Sequence, residues 1–430
     1  MRRLTATICA LLVWPASALA VQRFPAPDFK SGYEMPQTVV PPAEAPWWNW
    51  LDVSLLAAAL LITAWMAFKA RSRRGVFWVM VLSLAYFGFV REGCVCAVGS
   101  IQNVAYSAGG NGYTLPLTVA LIFMLPLLAA LFFGRVFCAG VCPLGAIQDV
   151  VLWKPIHLPP WLEHGLGLFA YVYLGLGVMY AAVGSDFVIC RYDPFVSFFR
   201  FSGAAHIVFV GAVMLAACMF VGRIYCRFIC PYSVLLRLLS PFSKQRVSIT
   251  PEECVDCRLC EQSCPFGAIR YPTPREPVGR RGSDRRRLGI ALAAVPLLAG
   301  LFAAVGYASS GVFARADFTV RLAERIYEDE RKPPEKLSDE AQAFRNTGEP
   351  VETLYARAAA IQKRFAVGAT LFGAWMGVVV GLKLVSLVMR RRAFGYTADP
   401  SNCLACARCY DSCPIEIEHR QRRQLEVITA

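Results

Sequence analysis

Residues 134–143 read Gly-Arg-Val-Phe-Cys-Ala-Gly-Val-Cys-Pro, and residues 222–231 read Gly-Arg-Ile-Tyr-Cys-Arg-Phe-Ile-Cys-Pro. Each copy of this motif follows a long apolar run and ends in a proline. If the motif is helical, cysteines at positions i and i+4 share one face of the helix. Two such helices side by side then bring four thiols together, those of Cys138, Cys142, Cys226 and Cys230.

These four thiols have three interpretations. Four thiolates suit a further iron–sulfur cluster. The alternatives are a reducible thiol pair in each copy, or small buried residues without chemistry. The duplication of the whole motif favours the redox centre, although the Cys-x3-Cys spacing alone is permissive.

The composition points to a membrane protein. Of the 430 residues, 56% are hydrophobic and 17% are charged, against about 45–50% and about 25% in soluble domains. The mean hydropathy is +0.46. These values exclude a soluble globular enzyme, a disordered chain and a fibre, and they predict a mainly α, polytopic helical membrane protein.

Seven apolar runs predict membrane-spanning helices, and the basic residues predict their orientation. The connections that contain residues 69–74, 223–246, 280–287 and 390–392 are rich in Lys and Arg and are expected in the cytoplasm. Much of the net charge of +14 therefore marks topology. No nucleic-acid partner is expected, because no binding fold accompanies these clusters. The predicted spans are 51–68, 75–90, 114–133, 166–183, 204–221, 288–308 and 366–389.

The same reading divides the chain into segments. Residues 1–20 have the basic start, apolar core and Ala-x-Ala ending of a signal peptide, with an uncleaved anchor helix as the alternative. The segment 309–365 is expected outside the cytoplasm as two helices joined by a turn at Lys332-Pro333-Pro334. The remaining predicted units are an extracytoplasmic tail at 21–50, a membrane domain at 51–246, single spans at 288–308 and 366–389, and ferredoxin-type runs at 247–275 and 395–420.

Two cysteine runs share the spacing Cys-x2-Cys-x2-Cys-x3-Cys-Pro, which is typical of bacterial ferredoxins that bind 4Fe–4S clusters. Zinc sites usually have paired knuckles with a longer gap, so zinc is disfavoured. The eight candidate ligands are Cys254, Cys257, Cys260 and Cys264 in the first run, and Cys403, Cys406, Cys409 and Cys413 in the second.

The two runs are separated by two predicted spans, so both are expected on the cytoplasmic face. If they pair there, one cluster takes Cys254, Cys257, Cys260 and Cys413, and the other takes Cys403, Cys406, Cys409 and Cys264. If each run closes on itself, the same eight residues remain the ligands.

Three further cysteines, Cys94, Cys96 and Cys190, are expected near the outer face. Two interpretations stay open for them, a disulfide in an oxidising compartment or ligands of a relay cluster just inside the membrane boundary. No haem is expected, because Cys-x-x-Cys-His is absent and the four histidines do not form pairs across the membrane.

With duplicated Cys-x3-Cys-Pro motifs followed by ferredoxin runs, the chain resembles the NapH/NosR-type membrane polyferredoxins from about residue 89 to 274. The resemblance implies membrane electron transfer between a quinone or a flavoprotein and other redox subunits. Two departures are the displaced second run and a tail at 21–46 too short for the flavin-binding domain of the NosR branch.

The expected function is therefore that of an electron-transfer subunit in a bacterial inner membrane, rather than a stand-alone enzyme. It carries two 4Fe–4S clusters and, on one interpretation, a third centre. The alternatives are a redox- or iron-sensing regulatory or maturation protein, and a thiol–disulfide relay that uses the Cys-x3-Cys pairs.

Overall fold

The computed structural model describes residues 45–93, 95–156, 158–249, 254–270, 281–330, 338–389 and 396–429. The predicted signal peptide, almost all of the predicted tail, Cys94 and the Lys-Pro-Pro turn lie outside these residues. The described chain is mainly helical, which confirms the predicted fold class. Its α-helices are α1 Pro46–Phe68, α2 Arg73–Ser83, α3 Ala97–Ala108, α4 Leu117–Phe133, α5 Pro143–Val150, α6 Pro160–Val183, α7 Val188–Arg191, α8 Val196–Arg200, α9 Ala205–Cys218, α10 Pro231–Leu239, α11 Leu259–Gln262, α12 Arg281–Ala308, α13 Ser310–Ala314, α14 Phe318–Asp329, α15 Asp339–Asn346, α16 Val351–Val388, α17 Arg408–Ser412 and α18 Pro414–Thr429.

Three π-helical segments and two short strands complete the described elements. The π-helices are π1 Leu84–Val90, π2 Phe137–Val141 and π3 Tyr225–Ile229, and a 3-10 turn covers Ser240–Phe242. The strands β1 Ile269–Arg270 and β2 Thr397–Ala398 pair antiparallel, with Ile269 opposite Ala398.

Five helices are long and apolar enough to cross a membrane: Pro46–Phe68, Arg73–Val90, Trp161–Val183, Arg285–Ala308 and Val351–Val388. They correspond to five of the seven predicted spans. The other two form shorter apolar helices, Leu117–Phe133 and Ala205–Cys218. Each of these two ends just before a Gly-Arg pair, where Gly134 and Arg223 have positive φ values of 65° and 51° and turn the chain.

Helices α12 and α16 pack closely because small residues recur every four positions on α16. A Cβ atom added at Gly373 or Gly377 would collide with the backbone carbonyl of Phe302 or Leu298, respectively. Such small-residue spacing lets helix backbones approach in a membrane. Along the chain, this closely packed helix pair lies between the two ferredoxin runs.

The segment 309–365 differs from the prediction of two helices. Its described part has α13, α14 and α15 before α16 begins at Val351, so the seventh span is the end of a 38-residue helix. At about 1.5 Å per residue this helix exceeds the bilayer core of roughly 30 Å. Apolar residues of α14, α15 and α16, including Ile326, Phe344 and Phe365, form a separate core against Met179 and Val183 of α6.

Candidate iron–sulfur sites

The two ferredoxin runs form one module. Their flanking strands β1 and β2 pair, and the short helices α11 and α17 pack together. Asp256 and Arg258 flank Cys257 with positive φ values, and Ala405 and Ala407 flank Cys406 in the same way. Non-glycine residues rarely take this conformation, and strained positions of this kind cluster at functional sites. Both loops therefore wrap their cysteines in the same way.

The structure brings the ferredoxin cysteines together in two crossed sets of four. Cys260 interacts electrostatically with Cys257, Cys254 and Cys413. These four residues line one small cavity. A 4Fe–4S cube takes four separate thiolates, so the residues around this cavity fit such a cluster.

The second set contains the other four thiols. Cys409 interacts electrostatically with Cys403, Cys406 and Cys264, and to a smaller extent with Cys260 of the first set. The amide of Ala405 donates to Cys403 Sγ at 3.5 Å. Each set takes three cysteines from one run and the last cysteine from the other, which is the crossed arrangement considered from the sequence.

The Cys-x3-Cys motifs are not α-helical. In each copy the first cysteine lies in a π-helical turn and the second is the extended residue before the next helix. The shared-face argument for an α-helix was therefore wrong in its geometry, yet the four thiols do converge. Cys142 interacts electrostatically with Cys226, Cys138 and Cys230, and all four residues are at most 6% exposed.

Hydrogen-bond donors surround this buried thiol quartet, defined as Cys138, Cys142, Cys226 and Cys230. Arg135 Nη2 lies 3.8 Å from Cys138 Sγ, and Gln148 Nε2 lies 3.4 Å from Cys226 Sγ. Three more buried donor atoms near the motifs have no hydrogen-bond partner among the described residues: Thr63 Oγ1, Arg135 Nε and Arg237 Nε. Buried donors are normally paired, so this surplus fits an additional acceptor of negative charge at the quartet.

Arg223 connects the thiol quartet with the ferredoxin module. Its guanidinium is fully buried, bonds the carbonyl of Cys138 and interacts electrostatically with Cys226 and Cys406. Arg135 of the other copy similarly donates to the carbonyl of Ser401, 3.2 Å away. The arginine of each duplicated motif therefore lies between the two groups of cysteines.

Asp149 anchors Arg223 and two further arginines. Its buried carboxylate accepts from Arg73 at 2.7 Å and from Arg408 at 3.1 Å, and it pairs with Arg223 at 3.4 Å. Burial alone would raise the pKa of Asp149, but Arg223, Arg408 and Arg73 hold that pKa well below its usual range. Arg71 adds an ion pair to Glu416 at 2.6 Å. Basic residues expected on one face of the membrane thus hold the ferredoxin module.

No three Cys, His, Asp or Glu side chains in the described ranges are close enough to hold a single metal ion. A zinc ion requires its ligands at about 2.0–2.3 Å from one centre. A cube with four iron atoms distributes its thiolates around a larger body.

Cys96 and Cys190 differ in burial. Cys96 is half-buried and lines a small apolar cavity together with Cys142, Leu56 and Phe87. Cys190 is exposed, and no disulfide joins cysteines within the part of the chain that is described. Cys94 falls outside that part, so the choice between disulfide and relay ligands stays open for these three residues.

Sequence reasoning missed Gln148, Asp149 and Thr63. The first two follow Cys142 by less than two helical turns, but the second copy has Leu236 and Arg237 at the matching places. Thr63 lies in an apolar span, where a single threonine is unremarkable. The duplicated arginines were visible in the motif, although only their contacts show what they join.

Comparisons with known proteins agree with this site. One 4Fe–4S binding domain family matches residues 115–168 and 203–250, and a second matches residues 247–270. The chain is 27% identical to protein NirI of Paracoccus denitrificans over 53% of this chain and 36% of that protein. It is 26% identical to the regulatory protein NosR of Pseudomonas aeruginosa over 44% of this chain and 29% of that protein.

The chain is also 26% identical to the putative electron transport protein YccM of Escherichia coli, over 39% of this chain. The chain therefore resembles the NapH/NosR-type membrane iron–sulfur proteins. The match spans about half of YccM, at 52%, and about a third of the other two relatives. No solved structure matches this chain.

Proposed function

We propose that this protein transfers electrons through a bacterial inner membrane, between a quinone or flavoprotein partner and another redox subunit of a respiratory chain. The observation that carries the proposal is the contact between the ferredoxin module and the buried thiol quartet through Arg135 and Arg223. Buried arginines thus join the two groups of cysteines. A protein that only anchored a partner in the membrane would not need such a connection between them.

The proposed ligand sets are the two crossed sets of ferredoxin cysteines and the thiol quartet, each with one 4Fe–4S cluster. Such clusters supply one-electron redox chemistry when bound. The first matched family supports the third centre, because its residues 115–168 and 203–250 contain the quartet and neither ferredoxin run. The proposed orientation has both runs in the cytoplasm, as the distribution of Lys and Arg indicates.

The residues of the chain have three tasks at these sites. The apolar core around Phe137, Tyr225 and Tyr232 excludes water from the quartet. Arg135 and Gln148 direct N–H groups at two of its sulfurs. The buried positive charge of Arg223 favours the more negative, reduced state of a neighbouring centre and so raises its reduction potential.

Charge also distinguishes a cluster from four neutral thiols at the quartet. Arg135 and Arg223 are buried there, and one carboxylate, that of Asp149, is shared by Arg223, Arg73 and Arg408. Uncompensated buried cations are costly. Four thiolates around iron supply the missing negative charge, whereas protonated thiols or two disulfides do not.

Iron and sulfide analysis with EPR of the reduced, full-length protein tests the proposal. We expect roughly twelve irons per chain and three paramagnetic centres, because each cube contains four irons. The double variant Cys138→Ser with Cys226→Ser should lose one centre, while the control Cys218→Ser keeps all three. Fewer than about eight irons would contradict even the two ferredoxin clusters.

A further inference from the structure

We propose that Cys96 and Cys190 form a redox-active dithiol–disulfide pair that extends the electron path of the proposed function toward the outer face. The inference rests on that function, but it concerns a different set of atoms. It starts from one face of helix α3, which carries Gly99 and Gln102 and begins directly after Cys96.

The Cys190 thiol packs against Gly99. A Cβ atom built on Gly99 would lie 3.1 Å from Cys190 Sγ. Cys96 is the extended residue just before α3, and its thiol lies near the backbone N–H groups of Val98 and Gly99. Cys96 is three residues before Gly99 and interacts electrostatically with Cys190. The two sulfurs are therefore within reach of each other by small side-chain movements.

Gln102 hydrogen-bonds the backbone of Cys190. Its Oε1 accepts from the backbone N–H of Cys190 at 2.9 Å. The side chain is fully buried, and Nε2 has no hydrogen-bond partner among the described residues. An unpaired buried amide donor is costly unless an acceptor is available. No described thiol accepts from Nε2 in this structure, so the donor is available to a sulfur of the oxidised cysteine pair.

The position of Cys96 connects this pair to the thiol quartet. Cys96 and Cys142 line the same apolar cavity, next to Leu56 of α1. Thr63 of α1 lies against Gly140, between Cys138 and Cys142. Leu56 is two helical turns beyond Thr63, or about 11 Å, in the direction of the outer end of α1. The cysteines therefore follow one another in space from the ferredoxin module, through the thiol quartet, to Cys96.

The proposed step is reduction of the Cys96–Cys190 disulfide. The S–S bond breaks as it takes up two electrons and two protons, and two thiols form. With clusters bound, the electrons would come one at a time from the reduced flavoprotein or quinol partner of the proposed function, by way of the ferredoxin module and the quartet. The protons come from water at the exposed Cys190 side. Two one-electron transfers therefore yield one two-electron product, the dithiol.

The first experiment identifies the bond. The purified full-length protein is oxidised with diamide, remaining thiols are alkylated, and the digest is analysed by mass spectrometry. We expect a cross-linked peptide that contains Cys96 and Cys190. In Gly99→Val its yield should fall at least tenfold, while the control Gly165→Val, with open space around it, keeps it. Separate alkylation of Cys96 and Cys190, or linkage of either to Cys94, overturns the inference.

The second experiment tests the path. Oxidised protein in sealed vesicles receives dithionite on the side of the ferredoxin module, and the thiol state is followed by alkylation. We expect reduction of the pair in the wild type and at least tenfold slower reduction in Cys138→Ser with Cys226→Ser, whose ferredoxin signals persist. Equal rates overturn the inference. A protein without iron instead contradicts the proposed function, so the two failures are distinguishable.

Discussion

Arg408 Nη2 lies 3.1 Å from both carboxylate oxygens of Asp149. Arg408 belongs to the second ferredoxin run, whereas Asp149 belongs to the helix that follows the first Cys-x3-Cys motif. The same carboxylate pairs with Arg223 of the second motif. One buried acid therefore fixes the positions of the two Cys-x3-Cys motifs and the ferredoxin module relative to one another.

Replacing Asp149 by Asn should loosen this junction. The variant leaves three arginines without their shared anion, and breaking a buried ion pair costs about 3–5 kcal/mol. We expect a lower thermal unfolding temperature in detergent and faster proteolysis of the second ferredoxin run. The control Glu418→Gln removes an exposed pair with Arg422, which is worth only about 0.3–0.5 kcal/mol. Equal effects of the two changes would show that Asp149 does not anchor the module.

The crossed ligand sets predict which substitutions resemble one another. Cys413→Ser should alter the same EPR signal as Cys257→Ser, because both thiols line one cavity. Cys264→Ser should alter the same signal as Cys406→Ser. Spectra of the four single variants, each reduced under the same conditions, make the comparison. If Cys413→Ser instead matches Cys406→Ser, each run closes on itself.

Neutralising Arg223 should lower the midpoint potential of the neighbouring centres. The guanidinium interacts with Cys226 and Cys406, and its positive charge stabilises the additional electron. We expect Arg223→Gln to shift a redox titration downward by tens of millivolts, where about 59 mV corresponds to a tenfold change for one electron. Arg223→Lys should retain most of the potential. Arg246→Gln removes an arginine with no thiol contact among the described residues, and a shift as large as that of Arg223→Gln would contradict the local explanation.

Closing the gap between α12 and α16 should disturb the second ferredoxin run. Gly377→Leu introduces a side chain where the backbone of Leu298 lies, so the helix pair must separate. Since α16 leads directly to the second run, we expect lower iron content and a lower unfolding temperature. Gly300→Leu is the matched control, because Gly300 on α12 faces open space. If Gly300→Leu lowers the iron content and the unfolding temperature as much as Gly377→Leu does, close helix packing is not the reason.

The sequence predicted the positions of the apolar helices well, because the side chains around a helix in lipid must be apolar. The prediction was weaker where the chain leaves regular helix. The Cys-x3-Cys motifs form π-helical turns rather than α-helix, and α15 was missed because only eight residues form it. Local sequence does not specify such segments strongly, since packing against neighbouring elements decides them.

The sequence by itself determined the apolar helices, the cysteine spacings and the duplicated Gly-Arg motif. These features are local, because a span or a cluster loop is encoded by adjacent residues. Only the tertiary structure decided which cysteines meet, that Asp149 joins three arginines, and that Cys96 lies beside Cys142 in one cavity. Such relationships depend on the way in which distant segments pack, and residue spacing along the chain does not contain that information.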